Sequence, residues 1–264
     1  MKKKLTTFSL LGIIVVALLA GAYLHYVAAN PSDGVLILEY HMVNDEKDSP
    51  YAVKTEDFRQ QLAYLKEQGY EAISLRQYLQ SRKGTFTLPA KAVILTFDDG
   101  YADNYTTMVP LVEEYGMKAT IFMVTNSIGK DGYLTWEQLH ELKARGVEIG
   151  SHTANHLELN DLSLATVKDE MEKSKLMLEW NGISPVLVFS YPHGDVKPEY
   201  ETALQELGYY ASVSGDAGLN TPDTDLFSLQ RVDIVRPKFG LWEFKLRLLK
   251  ADVLTRWGLG QHKN

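Results

Sequence analysis

Residues Ala92–Tyr101 have the sequence AVILTFDDGY, and this stretch decides the fold class. Its apolar run Ala92–Leu95 predicts a buried strand that is bounded by a glycine. Two adjacent carboxylates, Asp98 and Asp99, stand at the end of this strand. Because successive side chains of a strand point in opposite directions, a strand end can hold the two carboxylates in fixed, different orientations.

A second polar cluster follows another strand-like run, Val147–Gly150, and has the sequence SHTANH over Ser151–His156. One aspartate and two histidines are a three-ligand set for a divalent cation, with positions left open for water and substrate. The spare aspartate is then free to act as a general base. The four-residue spacing of the histidines would bring both rings to one face of a helical turn. Together the two clusters predict a metal-dependent hydrolase.

The first thirty residues differ in kind from the rest. Three lysines, Lys2–Lys4, precede an apolar stretch from Leu5 to about Tyr23, and Val27–Ala29 offers small residues for signal-peptidase cleavage. The stretch, roughly 19 residues, is also long enough to span a bilayer uncleaved. We expect residues 1–29 to be a signal peptide or a membrane anchor. Residues 30–264 should then form one domain outside the cytoplasm, either secreted or attached to the cell surface.

The composition and the net charge of the chain exclude several classes of protein and of binding site. The chain has 264 residues, of which 45% are hydrophobic and 23% charged, as expected of a globular protein. Its formal charge is −7, and removing residues 1–29, with three lysines and no acid, takes it to −10. This charge argues against a nucleic-acid partner. There is no cysteine, which excludes a disulfide framework and a thiolate metal site.

Strand-like and helix-like segments alternate from Val35 onward, and about seven such units favour a parallel (β/α) barrel over an open sheet. We expect Thr55 to cap a helix through Gln68, and Thr135 to open a capping box with Gln138. Chemistry in such barrels gathers at the carboxyl ends of the strands. The polar clusters all follow predicted strands: Glu39–His41, Asp98–Asp99, His152–His156 and Tyr191–His193.

The same clusters resemble known sequence motifs. Thr96–Tyr101 and Ser151–His156 are similar to the first two motifs of the polysaccharide deacetylase (NodB-homology) family, the family 4 carbohydrate esterases, and Phe189–Gly194 resembles its third motif. The resemblance extends over about Val35–Val235. It implies an α/β fold with a distorted (β/α) barrel of about seven parallel strands. It also implies a hydrolase of amide bonds that removes acetyl groups from N-acetylglucosamine units with a divalent metal.

The resemblance also implies individual roles. It assigns the catalytic base to Asp98 and the metal ligands to three residues, Asp99, His152 and His156. Zn²⁺ is the expected metal, although Co²⁺, Ni²⁺ and Mn²⁺ accept the same ligands. The backbone N–H of His193 is the expected donor to the oxyanion. We further expect three residues to contact the substrate, namely Tyr101, Tyr191 and Pro192.

Two positions depart from the family pattern. Ser190 stands where the third motif usually has an arginine that orients the base, and Leu229 is followed by Gln230-Arg231 rather than by the histidine of the fifth motif. That histidine would be the general acid. We expect His41, at the end of the first strand, to replace it, with His193 as a lesser candidate. Arg231 or Asp233 could orient such a histidine.

These departures resemble one branch of the family, which deacetylates exported poly-β-1,6-N-acetylglucosamine during biofilm formation. Peptidoglycan and chitin-type oligomers carry the same reacting group, so a deacetylase of the cell wall or of chitin oligomers is an alternative. The missing arginine and histidine also leave open a carbohydrate-binding homologue with impaired catalysis. A deacylase of small amides is a further alternative.

Overall fold

A distorted barrel of seven parallel strands forms the centre of the computed structural model, which describes residues 2–259. The order of neighbouring strands around the barrel is β10-β1-β5-β6-β7-β8-β9. A short strand, β4, pairs with the first half of β5, and β2 pairs with β3 in a separate small ladder. The strands are β1 Leu36–Tyr40, β2 Met42–Val43, β3 Ala52–Val53, β4 Glu71–Ala72, β5 Ala92–Phe97, β6 Ala119–Met123, β7 Glu148–Ser151, β8 Val188–Ser190, β9 Ala211–Val213 and β10 Val232–Asp233.

Helices cover the outside of these strands, which confirms the predicted α/β barrel. The capping box of Thr135 and Gln138 is present at the start of α5, as the sequence predicts. The helices are α1 Lys2–Ala29, α2 Thr55–Glu67, α3 Leu75–Arg82, α4 Val109–Glu114, α5 Trp136–Ala144, α6 Leu164–Trp180, α7 Pro198–Glu206 and α8 Leu241–Arg256.

The strand β5 lies between β1 and β6, and all six of its residues are buried. Its side chains alternate between two apolar clusters. Val93 and Leu95 pack with the covering helices, whereas Ile94 packs in the barrel interior with Ile37 and Phe122. The same alternation carries Thr96 and Asp98 into the interior at the carboxyl end. The alternation along β1 likewise directs the Glu39 side chain into the barrel at the carboxyl end of the strands.

The segment 229–233 joins the two edges of the sheet. Leu229 bridges to Val213 at the end of β9, and three residues later Val232 pairs with Leu38 of β1. Gln230 and Arg231 lie between these two pairings, and the Arg231 side chain is fully buried. Closure of the barrel therefore brings a guanidinium group into its mouth.

One local prediction about a helix was wrong. Thr55 is the first helical residue of α2 rather than its cap, because the carboxylate of Asp45 accepts the Thr55 N–H at 3.0 Å. The helical segment that leads into α4 begins with a π-helical turn, Asn104–Met108. This turn precedes Pro110, which has no N–H to donate within a helix.

The amino-terminal helix α1 contains a segment, Gly12–Ala29, that is long and apolar enough to cross a membrane. No other helix within residues 2–259 meets this description. Its position and composition are consistent with the predicted signal peptide or anchor.

Candidate active site

The two carboxylates after β5 leave the strand in different directions, as predicted. The Asp98 N–H still donates to the carbonyl of Tyr40 at 2.9 Å, so Asp98 continues the ladder with β1 and is buried. Asp99 takes a left-handed backbone conformation with φ of 73° and turns the chain out of the strand. Aspartate is one of the residues that tolerate this conformation.

Gly100 makes this turn possible. Its φ is 76°, which favours glycine, and a Cβ atom there would lie 2.2 Å from the sulfur of Met123 at the end of β6. The close approach of the two strand ends thus depends on a residue without a side chain. This requirement explains the glycine that follows the two aspartates.

A loop rather than a helix brings the two histidines together. His152 extends β7 and donates its N–H to the Met123 carbonyl at 2.9 Å. Thr153 and His156 both have positive φ, and the Thr153 hydroxyl accepts the His156 N–H at 3.0 Å. The imidazole rings then meet edge to face, 4.7 Å apart. The predicted juxtaposition is present, although its local geometry is a tight turn instead of a helical face.

Asp99, His152 and His156 form a set of converging donor atoms. The Asp99 Oδ1 atom lies 3.6 Å from His152 Nε2 and 3.5 Å from His156 Nε2. Two ligands of a tetrahedral zinc ion, each about 2.1 Å from the metal, lie about 3.4 Å apart. The spacing of these donors therefore fits a divalent cation without rearrangement.

The tautomer of His152 also fits a metal ligand. Its Nδ1 atom lies 2.7 Å from the carbonyl oxygen of Ser190, which can only accept, so Nδ1 carries the proton. Nε2 is left with a lone pair directed at Asp99. Burial lowers the pKa of His152, which keeps the imidazole neutral.

Asp98 is held by two donors from distant parts of the chain. Arg231 Nη1 donates to its Oδ1 at 2.9 Å, and the Ser190 hydroxyl donates to its Oδ2 at 3.0 Å. Burial alone would raise the pKa of Asp98, but the charge and the hydrogen bond of Arg231 outweigh it, so the pKa lies below its ordinary value. The group is therefore a carboxylate at neutral pH.

Glu39 shares the same guanidinium, with its Oε1 atom 3.2 Å from Arg231 Nη2. Burial and the neighbouring Asp98 raise the pKa of Glu39 to about 8, against the opposing effect of Arg231. One buried cation thus faces two acids, and Asp98 is the acid that stays ionised.

His41 lies beside this acidic pair. One donor atom from each of Glu39, His41 and Asp98 lies within 4.8 Å of the other two. The His41 ring packs against Tyr51, and its Nδ1 atom is buried without a hydrogen-bond partner among the described residues. A buried ring nitrogen with no protein partner is available to a substrate group.

Comparison with known proteins identifies the family. The sequence profile described as polysaccharide deacetylase matches residues 86–212. The Bacillus subtilis protein YxkH, whose name classes it with the polysaccharide deacetylases, is 34% identical over 202 residues, which cover 75% of this chain and 70% of YxkH. The chain belongs to the polysaccharide deacetylase family. It is accordingly a hydrolase that acts on amide bonds.

Other relatives of this polysaccharide deacetylase have more specific names. Poly-beta-1,6-N-acetyl-D-glucosamine N-deacetylase of Escherichia coli is 33% identical over 143 residues, which cover 47% of this chain but 21% of that protein. The protein of the same name from Staphylococcus epidermidis is 25% identical over 204 residues, covering 72% and 70% of the two chains. 

Solved structures agree in fold. The Streptococcus pyogenes deacetylase PplD, solved with acetate, superposes with a TM-score of 0.75 at 26% identity and covers 83% of this chain and 99% of PplD. IcaB from Ammonifex degensii has a TM-score of 0.72 at 23% identity, over 84% of this chain and 99% of IcaB.

The remaining predicted site residues of the deacetylase lie around this pocket. The Tyr101 ring stacks on Tyr133 with centroids 5.2 Å apart, and burial and the Asp99 carboxylate raise the pKa of Tyr101. His193 has φ of 59°, and its ring lies 4.8 Å from that of His156.

Tyr191 and Pro192 are both buried. The Tyr191 hydroxyl donates to the Phe227 carbonyl at 3.2 Å, and its ring packs on Phe189. This position gives Tyr191 a packing role and leaves no free ring face for a sugar. We do not propose either residue as a substrate contact.

Two features of this site were not predicted from the sequence. No role was assigned to Glu39, and the contact between Arg231 and Asp98 was not foreseen. Arg231 was expected beside a histidine, but it binds the aspartate that the missing third-motif arginine would orient. The signal available in the sequence was a charged residue within the strand β1, LILEY, and another between the buried residues Leu229 and Val232. A lone charge in a buried strand requires a partner in the interior.

Proposed function

We propose that this deacetylase is metal-dependent and removes acetyl groups from N-acetylglucosamine units of an exported polysaccharide. Poly-β-1,6-N-acetylglucosamine is the first substrate to test. The observation that carries the proposal is the convergence of Asp99, His152 and His156 on one point, with Asp98 beside them and free of that set. This arrangement separates a cation site from a general base within one pocket.

The donor set suits Zn²⁺ best, since two imidazoles and one carboxylate leave an open coordination position. Deacetylases of this family use a divalent metal, and the same three ligands would also accept Co²⁺, Ni²⁺ or Mn²⁺. When bound, the cation supplies Lewis acidity to the amide carbonyl and lowers the pKa of water.

Asp98 is the proposed general base. Its carboxylate is ionised, and hydrogen bonds from Ser190 and Arg231 fix both oxygens, so its orientation toward an attacking water is set before the substrate binds. Because its pKa lies below the ordinary value, a proton taken from water is not retained there for long. The proton passes readily to a neighbouring group with a higher pKa.

His41 is the proposed general acid. Protonated His41 gives its proton to the amine nitrogen as the carbon–nitrogen bond breaks, and the proton from Asp98 can then restore it. The distance of at most 4.8 Å between their donor atoms supports this exchange. The backbone N–H of His193, in the turn after Pro192, is the proposed donor to the oxyanion of the tetrahedral intermediate.

The choice of polymer rests on the relatives. Two curated relatives carry the name poly-beta-1,6-N-acetyl-D-glucosamine N-deacetylase, and one of them matches over 70% of its own length. Tyr101, at the rim beside Tyr133, is the proposed contact to a sugar ring. Arg231 on Asp98 also favours an active enzyme over a homologue with impaired catalysis, since it supplies the charge that Ser190 lacks.

An exported polymer requires an exported enzyme. We propose that residues 1–29 direct the chain across the membrane as a signal or an anchor, and that residues 30–264 form the catalytic domain outside the cytoplasm. The domain would then act at the cell surface or in the biofilm matrix.

The test is acetate release by the full chain from N-acetylglucosamine oligomers, with metal content measured on the same sample. Asp98→Asn should lower kcat by roughly 100- to 10,000-fold and leave the metal content unchanged. Asp131→Asn, in an exposed loop, is the matched control and should retain wild-type activity. Full activity of Asp98→Asn would defeat the proposed mechanism.

A panel of substrates decides the polymer. β-1,6-linked oligomers should be deacetylated in preference to β-1,4-linked oligomers and peptidoglycan fragments. Preference for β-1,4-linked substrates would instead assign a cell-wall or chitin substrate. If the protein binds the sugar but releases no acetate with Zn²⁺, Co²⁺, Ni²⁺ or Mn²⁺, it is a carbohydrate-binding homologue.

A further inference from the structure

The helices α1 and α8 meet at the amino end of the barrel, opposite the active site. The rings of Tyr23 and Trp257 lie 5.9 Å apart, and the Trp257 indole N–H donates to the Tyr23 hydroxyl at 2.7 Å. Val27, one turn further along α1, has no exposed surface. The end of α1 is therefore packed on the barrel.

Polar contacts fix the same junction. Asp252 of α8 accepts hydrogen bonds from the backbone N–H of Ser32 at 3.1 Å and from its hydroxyl at 2.5 Å. Arg256 pairs with Asp252 at 2.9 Å and also donates to the carbonyl of Asn30. These bonds hold Asn30 and Ser32, which follow α1, against α8, so the direction of α1 is coupled to that of the barrel.

Large apolar side chains remain exposed around this junction. Trp257 is 61% exposed, Leu259 is 60% exposed and Tyr26 is 56% exposed. We call these three residues, together with Tyr23, the base patch. Both tyrosines belong to the final two turns of the membrane-length segment Gly12–Ala29. Tryptophan and tyrosine are enriched at the level of the lipid headgroups, where an apolar ring body and a polar tip are both accommodated.

Positive charge accompanies the base patch. Lys250 is exposed and precedes Trp257 by seven residues, which places both on one side of α8. Arg256 also lies beside Trp257, where its charge is paired with that of Asp252. Basic side chains next to a membrane segment are attracted to anionic lipid headgroups.

We propose that the base patch rests in the headgroup region of the bilayer that α1 spans, so that the barrel is held on the membrane with its active site facing outward. We assign lipid as the partner because the base patch is continuous with the end of the membrane-length segment: Tyr23 and Tyr26 lie in its last two turns, and Trp257 contacts Tyr23. The six residues of β5 separate the base from the Asp-His pocket by about 20 Å. The pocket therefore opens toward a polymer beyond the membrane surface.

The test uses the full chain reconstituted in vesicles of zwitterionic and anionic lipids, some brominated on their acyl chains near the headgroup. In the variant W136F/W180F/W242F, Trp257 is the sole tryptophan. Its fluorescence should be quenched by the brominated lipids, with an emission maximum shifted to shorter wavelength.

The matched control is W136F/W180F/W257F, which retains Trp242. Trp242 is 63% exposed on the same helix but about 22 Å from Trp257 along its axis. Quenching should be several-fold greater for Trp257 than for Trp242, with both variants folded by circular dichroism. Equal quenching of the two, or a mature chain that begins after Ala29 in the exporting cell, would overturn the proposal. Neither readout depends on acetate release.

Discussion

Replacing Arg231 with methionine should destabilise this deacetylase and cause Asp98, its proposed base, to be protonated at a higher pH. The guanidinium is 1% exposed and has four partners: Asp98, Glu39, the carbonyl of Ser214 at 3.0 Å and the hydroxyl of Thr96 at 3.4 Å. Methionine fills much of the volume but cannot donate. Two buried acids would then lose their shared cation.

The magnitude follows from this burial. Removing one partner of a buried ion pair costs about 3–5 kcal/mol, because the other charge remains buried without compensation. The pKa of Asp98 should rise in the variant, since burial still raises it while the largest opposing charge is gone. The acidic limb of the pH–rate profile should therefore move to higher pH, with the loss of activity greatest below neutral pH.

The assay combines urea unfolding at pH 7 with acetate release between pH 4 and pH 9. Arg247→Met is the matched control, because Arg247 pairs with Glu243 at 3.0 Å near the surface and should cost no more than about 1 kcal/mol. In an Asp98→Asn background the Arg231 substitution should cost less, since the carboxylate that would be left buried without its cation is already absent. An unchanged unfolding midpoint together with an unmoved acidic limb would refute the role assigned to Arg231.

Three further outcomes are expected. His41→Ala should lower kcat about 100-fold with little change in KM, since it removes a general acid without a binding contact, and loss of activity through KM alone would contradict this role. Gly100→Ala should lower the unfolding midpoint, since its Cβ would collide with Met123; an unaltered midpoint would show that the turn relaxes. Burial raises the pKa of Asp103 to about 6, so the native state favours its protonated form. Stability should therefore fall by at most about 3 kcal/mol as pH rises from 4 to 6, and Asp103→Asn should abolish this slope in urea titrations.

The sequence predicted the elements of the barrel well where periodicity was strong. The strand predicted from the apolar run Ala92–Leu95 is present as Ala92–Phe97, and the capping box that opens α5 is present. Predictions were less accurate where a distant residue competes with a local one. The carboxylate of Asp45, rather than the Thr55 side chain, accepts a backbone N–H at the start of α2, and no local pattern indicates an acceptor ten residues away.

The sequence by itself identified the proposed site residues, because Asp98, Asp99, His152 and His156 lie in two short segments whose strand-end positions follow from local apolar runs. Only the tertiary structure decided how Asp98 is charged and oriented. Arg231 is 133 residues away from Asp98 in the chain, and Ser190 is 92 residues away. Side-chain alternation along a strand is a local property, whereas the partners across a barrel depend on which strands become neighbours when the barrel closes.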